Sequence, residues 1–148
     1  MPSIIPGYVY SLFATVIIGA ILIATCGLAT TNVKAEAETQ QLHDVVDYVA
    51  TKSLELLSNP SEDNSSATAT LSLPISIGNQ QYWIQVYNDS SGAWVQAGLG
   101  VDVVSSEQRM CIPADVAASG VYVSDFGWPY LQYQSNNTGQ YLTLCGGN

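Results

Sequence analysis

The sequence predicts an α+β protein in which a long N-terminal helix, first apolar and then amphipathic, is followed by an antiparallel β-sandwich-like domain. Three observations carry this. No charged side chain occurs before Lys34, and from Ile4 to Ala29 the chain is almost continuously apolar. Between Thr30 and Asn59 apolar residues recur mostly at steps of three and four. From Leu71 onward the period is two, with turn clusters between short apolar runs.

The first run is too long for an ordinary buried core helix, and at about 1.5 Å per residue it spans the hydrocarbon thickness of a bilayer. It therefore belongs in lipid or in an equally dry protein environment. A secretory leader has a basic residue ahead of a much shorter apolar stretch and a small-residue cleavage site. Here no base precedes Lys34, so we read the helix as retained, with a short charged leader either removed or never present.

In the second segment Ala35, Ala37, Leu42, Val45, Val46, Val49, Leu54, Leu56 and Leu57 lie between Glu36, Glu38, Asp44, Asp47 and Glu55, the pattern of a helix with one dry face. No proline interrupts Gly7 to Asn59. One helix of about 80 Å is therefore expected, from Pro6 in its first turn to about Ser58, with Asn59-Pro60 ending it.

The polar stretch Asn59–Ser66 reads as a linker, which sets the organisation as helix 1–58, linker 59–66 and β domain 67–148. Leu71, Leu73, Ile75 and Ile77 alternate with polar or small residues, Gly78-Asn79 supplies a two-residue hairpin turn, and Tyr82, Ile84 and Val86 alternate back. Further strands are expected at Ala93–Ala97, Leu99–Val104, Arg109–Ile112, Val121–Asp125, Pro129–Gln134 and Gln140–Cys145, with turns at Asn88–Gly92 and Ser135–Gly139. Seven or eight strands at this spacing suggest a sandwich or small barrel.

Composition narrows function. Twelve acidic residues face three basic ones, Lys34, Lys52 and Arg109. Nucleic acid is a poor partner for such a chain because nothing neutralises phosphates. Only 10% of residues are charged, so the surface relies on hydroxyls and amides, as suits an exported protein. Cys26, in the apolar helix, is expected free. Cys111 and Cys145 both fall in the strand domain, and an outside location favours their pairing, worth roughly 4 kcal/mol in the chain-entropy model. Three sequons, at Asn64, Asn88 and Asn136, fall in predicted loops or turns and are glycosylation candidates.

No catalytic constellation is evident, and no cofactor or metal site is expected. The only histidine, His43, precedes Asp47 by one helical turn, but a solvated helix face explains both residues. Gly98–Gly100 has no base or helix start behind it, so it is not a phosphate loop. Convergence of two among Asp89, Asp102, Asp115 and Asp125 into a glycosidase-type pair stays open from sequence. Trp83, Trp94, Trp128 and the tyrosines around them serve either core packing or a sugar-binding platform, and core packing is the commoner use in strands.

The apolar helix carries the more specific signal. Gly7, Ser11, Thr15 and Gly19 follow at four-residue intervals, with Ala20 and Ala24 in a second row. Small residues at this spacing let helices approach closely where hydrophobicity gives no preference for a partner over lipid. The spacing predicts a helix that packs against copies of itself; the other reading is an ordinary span whose small residues are incidental.

This organisation resembles a type IV pilin, in particular an archaeal pilin or archaellin-like filament subunit. The resemblance rests on the dry helix continuing as an amphipathic one across Ile4–Leu57, then on the Ser/Thr/Asn-rich β domain with its sequons. Bacterial pilins carry an acidic residue a few positions into the helix, whereas Ile4, Ile5 and their neighbours through Val33 are uncharged, which favours the archaeal branch. Met1 is compatible with a processed first residue and with an initiator. The resemblance implies a precursor held in the membrane, removal of a leader by a membrane peptidase, and extraction by an ATP-driven pilus assembly machine. The product would be an extracellular filament of identical subunits, with helices in its core and glycosylated β domains outside. The alternative is a single-span membrane-anchored surface protein whose β domain binds a sugar or a partner.

Overall fold

The computed structural model describes residues 5–58, 65–104, 108–113 and 115–147. Helix α1 runs Ile5–Ser58, as the uninterrupted pattern requires. Eight strands follow: β1 Ser66–Thr70, β2 Tyr82–Asp89, β3 Gly92–Leu99, β4 Arg109–Ile112, β5 Ala117–Ser119, β6 Val121–Val123, β7 Trp128–Asn136 and β8 Gly139–Gly147. They form two four-stranded sheets of order β1-β7-β8-β5 and β4-β3-β2-β6. All strand pairings are antiparallel except β5 with β8, so the expected α+β class holds with one parallel edge.

The chain divides into two compact units, Met1–Ala37 and Glu38–Asn148. The boundary falls inside α1 and not in the linker expected at 59–66, of which residues 59–64 lie outside the described residues. The physical reason is the amphipathic pattern itself. Leu42, Val45, Val46, Val49 and Ala50 are buried in the same core as Ile84, Val86, Val95 and Ile112 from one sheet and Leu131, Tyr133, Leu142 and Leu144 from the other. Leu42 through Ser58 is thus part of the β domain's core, while the polar residues His43, Asp44 and Asp47 stay exposed.

The run Leu71–Ile77 was expected as a strand and is not one. It lies along α1 in the opposite direction. Ala69 lies beside Lys52 and Leu56, the Ser72 N–H donates to the Tyr48 hydroxyl at 3.3 Å, and Gly78 meets Glu38. Leu71 and Ile77 are buried, but Pro74 removes a donor midway and Ile75 is 74% exposed. The Gly78-Asn79 turn forms as expected, closed by reciprocal 3.1 Å bonds between Ile77 and Gln80. Gly78 has φ +63°, while Asn79 is not among the positive-φ residues, which is the II′ pattern. A Cβ on Gly78 would stand 2.2 Å from a Glu38 carboxylate oxygen, so this close approach also needs glycine.

Two further expectations are corrected. Leu99–Val104 does not form a strand: β3 ends at Leu99, and Gly100, at φ +97°, turns the chain so that its N–H donates to Gln81 O at 2.7 Å. The Cys111–Cys145 bond is not formed, and both thiols are free. Cys111 precedes the buried Ile112 on β4, and Cys145 follows the buried Leu144 on β8, so the two point out of opposite sheets. Packed sheets lie about 10 Å apart, whereas a bridge needs Cα atoms within about 7 Å.

Candidate functional site: an uncovered apolar helix

Unit Met1–Ala37 is helical throughout its described part, and every residue from Gly7 to Ala37 is exposed apart from the half-buried Gly19. Tyr8, Phe13, Val16, Ile17, Ile21 and Ile23 are among the large apolar side chains left uncovered. The most apolar window of α1 has a mean hydropathy of 2.4 and no buried residue. Among the described residues one helix is therefore long and apolar enough to cross a membrane.

Local chemistry suits a dry environment. Thr15 donates its hydroxyl to Ser11 O at 2.5 Å, Thr25 to Ile21 O at 3.0 Å, Thr30 to Cys26 O at 2.8 Å and Thr31 to Leu28 O at 2.9 Å. Each hydroxyl is satisfied within its own helix, which removes most of the cost of taking it out of water. Helical geometry sets Gly7, Ser11, Thr15 and Gly19 on one ridge of four-residue steps and Ala20 and Ala24 on a neighbouring one. A Cβ added at Gly7, Gly19 or Gly27 would meet nothing within 4 Å. Among the described residues no contact demands glycine there, although each costs the helix about 1 kcal/mol relative to alanine.

The other sequence candidates are dispersed. Asn136 is exposed where β7 enters the Asn137-Thr138 turn. Asn88 lies on β2 with its carboxamide engaged: its Nδ2 donates to Val116 O at 2.7 Å, and its Oδ1 accepts from Ala118 N–H. This ties β2 to β5: Asn88, expected in the Asn88–Gly92 turn, lies on the strand, exposed but with its carboxamide engaged. Asn64 lies outside the described residues.

Among the acids, Asp89 and Asp125 lie at opposite ends of β2. Asp89 ends the strand, and Asp125 is held by Gln81, which precedes it. At about 3.4 Å per residue they are over 20 Å apart, beyond the separation of a glycosidase pair. The Asp89 carboxyl is held below its usual range by the Ser91 N–H, with smaller help from the Trp94 indole and from Arg109. That arrangement is a turn anchor: Ser91 N–H donates to Asp89 Oδ1 at 2.7 Å, and Arg109 lies over the Trp94 ring at 4.9 Å. Among the described residues no three His, Cys, Asp or Glu side chains converge as metal ligands.

The aromatics divide between core and surface, though not by alternation alone, since the neighbours Tyr82 and Trp83 are both buried. Tyr82, Trp83, Tyr122 and Tyr133 are buried, whereas Trp128 is 77% exposed at the start of β7. Trp83 needs Gly98 opposite it, where a Cβ would stand 2.6 Å from the indole. At Asp125–Trp128 sequence reasoning named Trp128 for either core or platform and missed Phe126: both aromatics are left exposed around a glycine turn. Their position in a turn, away from any alternating strand pattern, was the available signal. Comparison with protein-family models, with curated proteins and with solved structures finds no match for this chain.

Proposed function

We propose that this chain is the structural subunit of an extracellular helical filament of the type IV pilus kind. Its apolar helix packs with copies of itself in the filament core, and its β domain forms the surface. The chain serves no catalytic role in this reading and needs no cofactor. Before assembly the same helix holds the subunit in the membrane, from which the assembly machinery withdraws it.

The observation that carries the reading is the uncovered helix with its unexplained glycines. A lone span needs only to be apolar. Gly7 and Gly19 lower the intrinsic stability of the helix, and among the described residues no contact demands glycine there; with Ser11, Thr15, Ala20 and Ala24 they form rows of small residues that favour close approach of another helix. The β domain, with few charges and an exposed sequon at Asn136, suits an outward surface.

Electron microscopy of surface appendages, with mass spectrometry of their subunit, tests the proposal. The expected result is a filament whose principal protein is this chain. Recovery of the chain only as a dispersed membrane protein, with no appendage containing it, would make it a single-span anchor instead. The codons preceding this sequence add a second test: a short Lys- or Arg-rich leader is expected for a processed pilin.

A further inference from the structure

Beside the start of β7 the β domain holds a cavity of about 270 Å³, lined by Pro74, Ile75, Tyr122, Asp125 and Trp128 among others. Three features set it apart from the rest of the domain surface. Trp128 and Ile75, 77% and 74% exposed, are the two most exposed large apolar side chains among the described residues of the β domain. Asp125 is the only described non-glycine residue at positive φ, at 76°. Its carboxylate is fixed by Gln81, whose Nε2 donates to Asp125 Oδ2 at 3.2 Å.

Asp125 tolerates the left-handed region better than most residues, but still at some cost in backbone energy, and it persists here because neighbouring bonds hold it. Ser124 N–H donates to Tyr82 O at 2.8 Å and Phe126 N–H to Val123 O at 3.3 Å on either side of it. The buried Tyr122 hydroxyl donates to Gly127 O at 3.3 Å, which fixes the turn before Trp128. The cup is therefore anchored by the strands beneath it.

We infer that this cup is a binding site for a neutral saccharide. A sugar ring has an apolar C–H face and a rim of hydroxyls that both donate and accept. The open indole of Trp128 matches the face, and the Asp125 carboxylate, held in place by Gln81, offers an acceptor for the rim hydroxyls. Among the described lining residues none is cationic, which disfavours an acidic ligand. A simple cation would use the carboxylate alone and leave the open apolar face of Trp128 and Ile75 without purpose. The inference concerns the β domain itself and does not depend on filament assembly.

The test uses the full chain in micelles of a zwitterionic detergent without a sugar headgroup. Saturation-transfer NMR is recorded with methyl α-D-glucoside, methyl α-D-mannoside, methyl β-D-galactoside and N-acetyl-D-glucosamine, each titrated to about 50 mM. One open cup is expected to bind with a millimolar dissociation constant. At least one sugar gives a saturable signal that Trp128→Ala abolishes. Asp125→Asn, which keeps a residue tolerant of positive φ, weakens it about fivefold. Trp128→Phe keeps an aromatic face and retains binding, which guards against a fold defect in the alanine variant. No saturable signal with any of the four sugars overturns the inference. So does a signal that survives Trp128→Ala, or one that tetramethylammonium chloride displaces.

Discussion

Replacing Gly19 by leucine separates packing within the chain from packing between chains. A Cβ at Gly19 meets nothing within 4 Å, so the isolated subunit accepts the larger side chain, and its helix gains about 0.8 kcal/mol from better propensity. Between chains the effect reverses. Helices in contact lie about 8–10 Å apart according to the side chains at the crossing, and small residues permit the closest approach. An overpacked contact costs about 1–3 kcal/mol. In a helical array each copy meets a neighbour on two faces, so the loss is about 2–6 kcal/mol per subunit, and at about 1.4 kcal/mol per decade the concentration needed for assembly rises by roughly 30-fold to roughly 20,000-fold. The assay pairs filament yield from cells making Gly19→Leu with thermal melting of the purified subunit in micelles. Expected are an unchanged or raised melting temperature and no filaments. Normal filaments from Gly19→Leu would refute the packing argument, because the row would then have no neighbour to accommodate.

Three further outcomes follow from the β domain. Gly120→Ala destabilises it by about 3 kcal/mol in denaturant titration, because Gly120 sits at φ +127° with Leu144 O 2.2 Å from an added Cβ; Gly92→Ala, at φ +137° with open space, costs about 1 kcal/mol from backbone strain alone. Intact-mass and peptide mapping of the native subunit should place any N-linked glycan at Asn136 and none at Asn88, whose Asn88→Ala variant loses about 1–2 kcal/mol by stranding Val116 O and Ala118 N–H. Burial pushes the Tyr82 phenol well above its ordinary range, so above about pH 10 the unfolded chain loses a proton that the folded chain keeps, and stability falls by up to about 1.4 kcal/mol per pH unit. Tyr82→Phe removes the 2.6 Å bond to Pro74 O and should flatten that alkaline slope; an unchanged slope would show that another group controls it.

The helix and the two-sheet domain were legible because each rests on a pattern that packing cannot easily override. An uncharged run and a three-to-four periodicity give a helix whether the neighbour is lipid or protein, and alternation at Tyr82–Val86 and Ala93–Ala97 gives strands with one dry face. Leu71–Ile77 shows where that reasoning stops. Its alternation is real, since Leu71 and Ile77 are buried, but the surface it faces includes α1, and periodicity does not say what lies opposite. Strand β5, Ala117–Ser119, has three small residues and no pattern; it forms because Asn88 and the parallel edge of β8 hold it. Shared membership of the strand domain and an outside location suggested a bond between Cys111 and Cys145, yet neither carries information about which sheet each residue leaves, and that decided the outcome. Cys145 instead lies across from Tyr130, whose phenol it pushes up through a hydrogen bond. The aromatics were ambiguous for a related reason: Trp83 and Trp128 share a composition signal, and only their placement, one over Gly98 and one at a turn, separates core from surface.

Helical reconstruction by electron cryo-microscopy, on appendages purified from cells that make this chain, tests the central claim most directly. The account predicts a continuous core of α-helices built from Gly7 to Val33 of successive copies, with their closest approaches along Gly7, Ser11, Thr15 and Gly19 and the two-sheet domain outside. A filament held together by its β domains, with the apolar helix absent from the core, would contradict it.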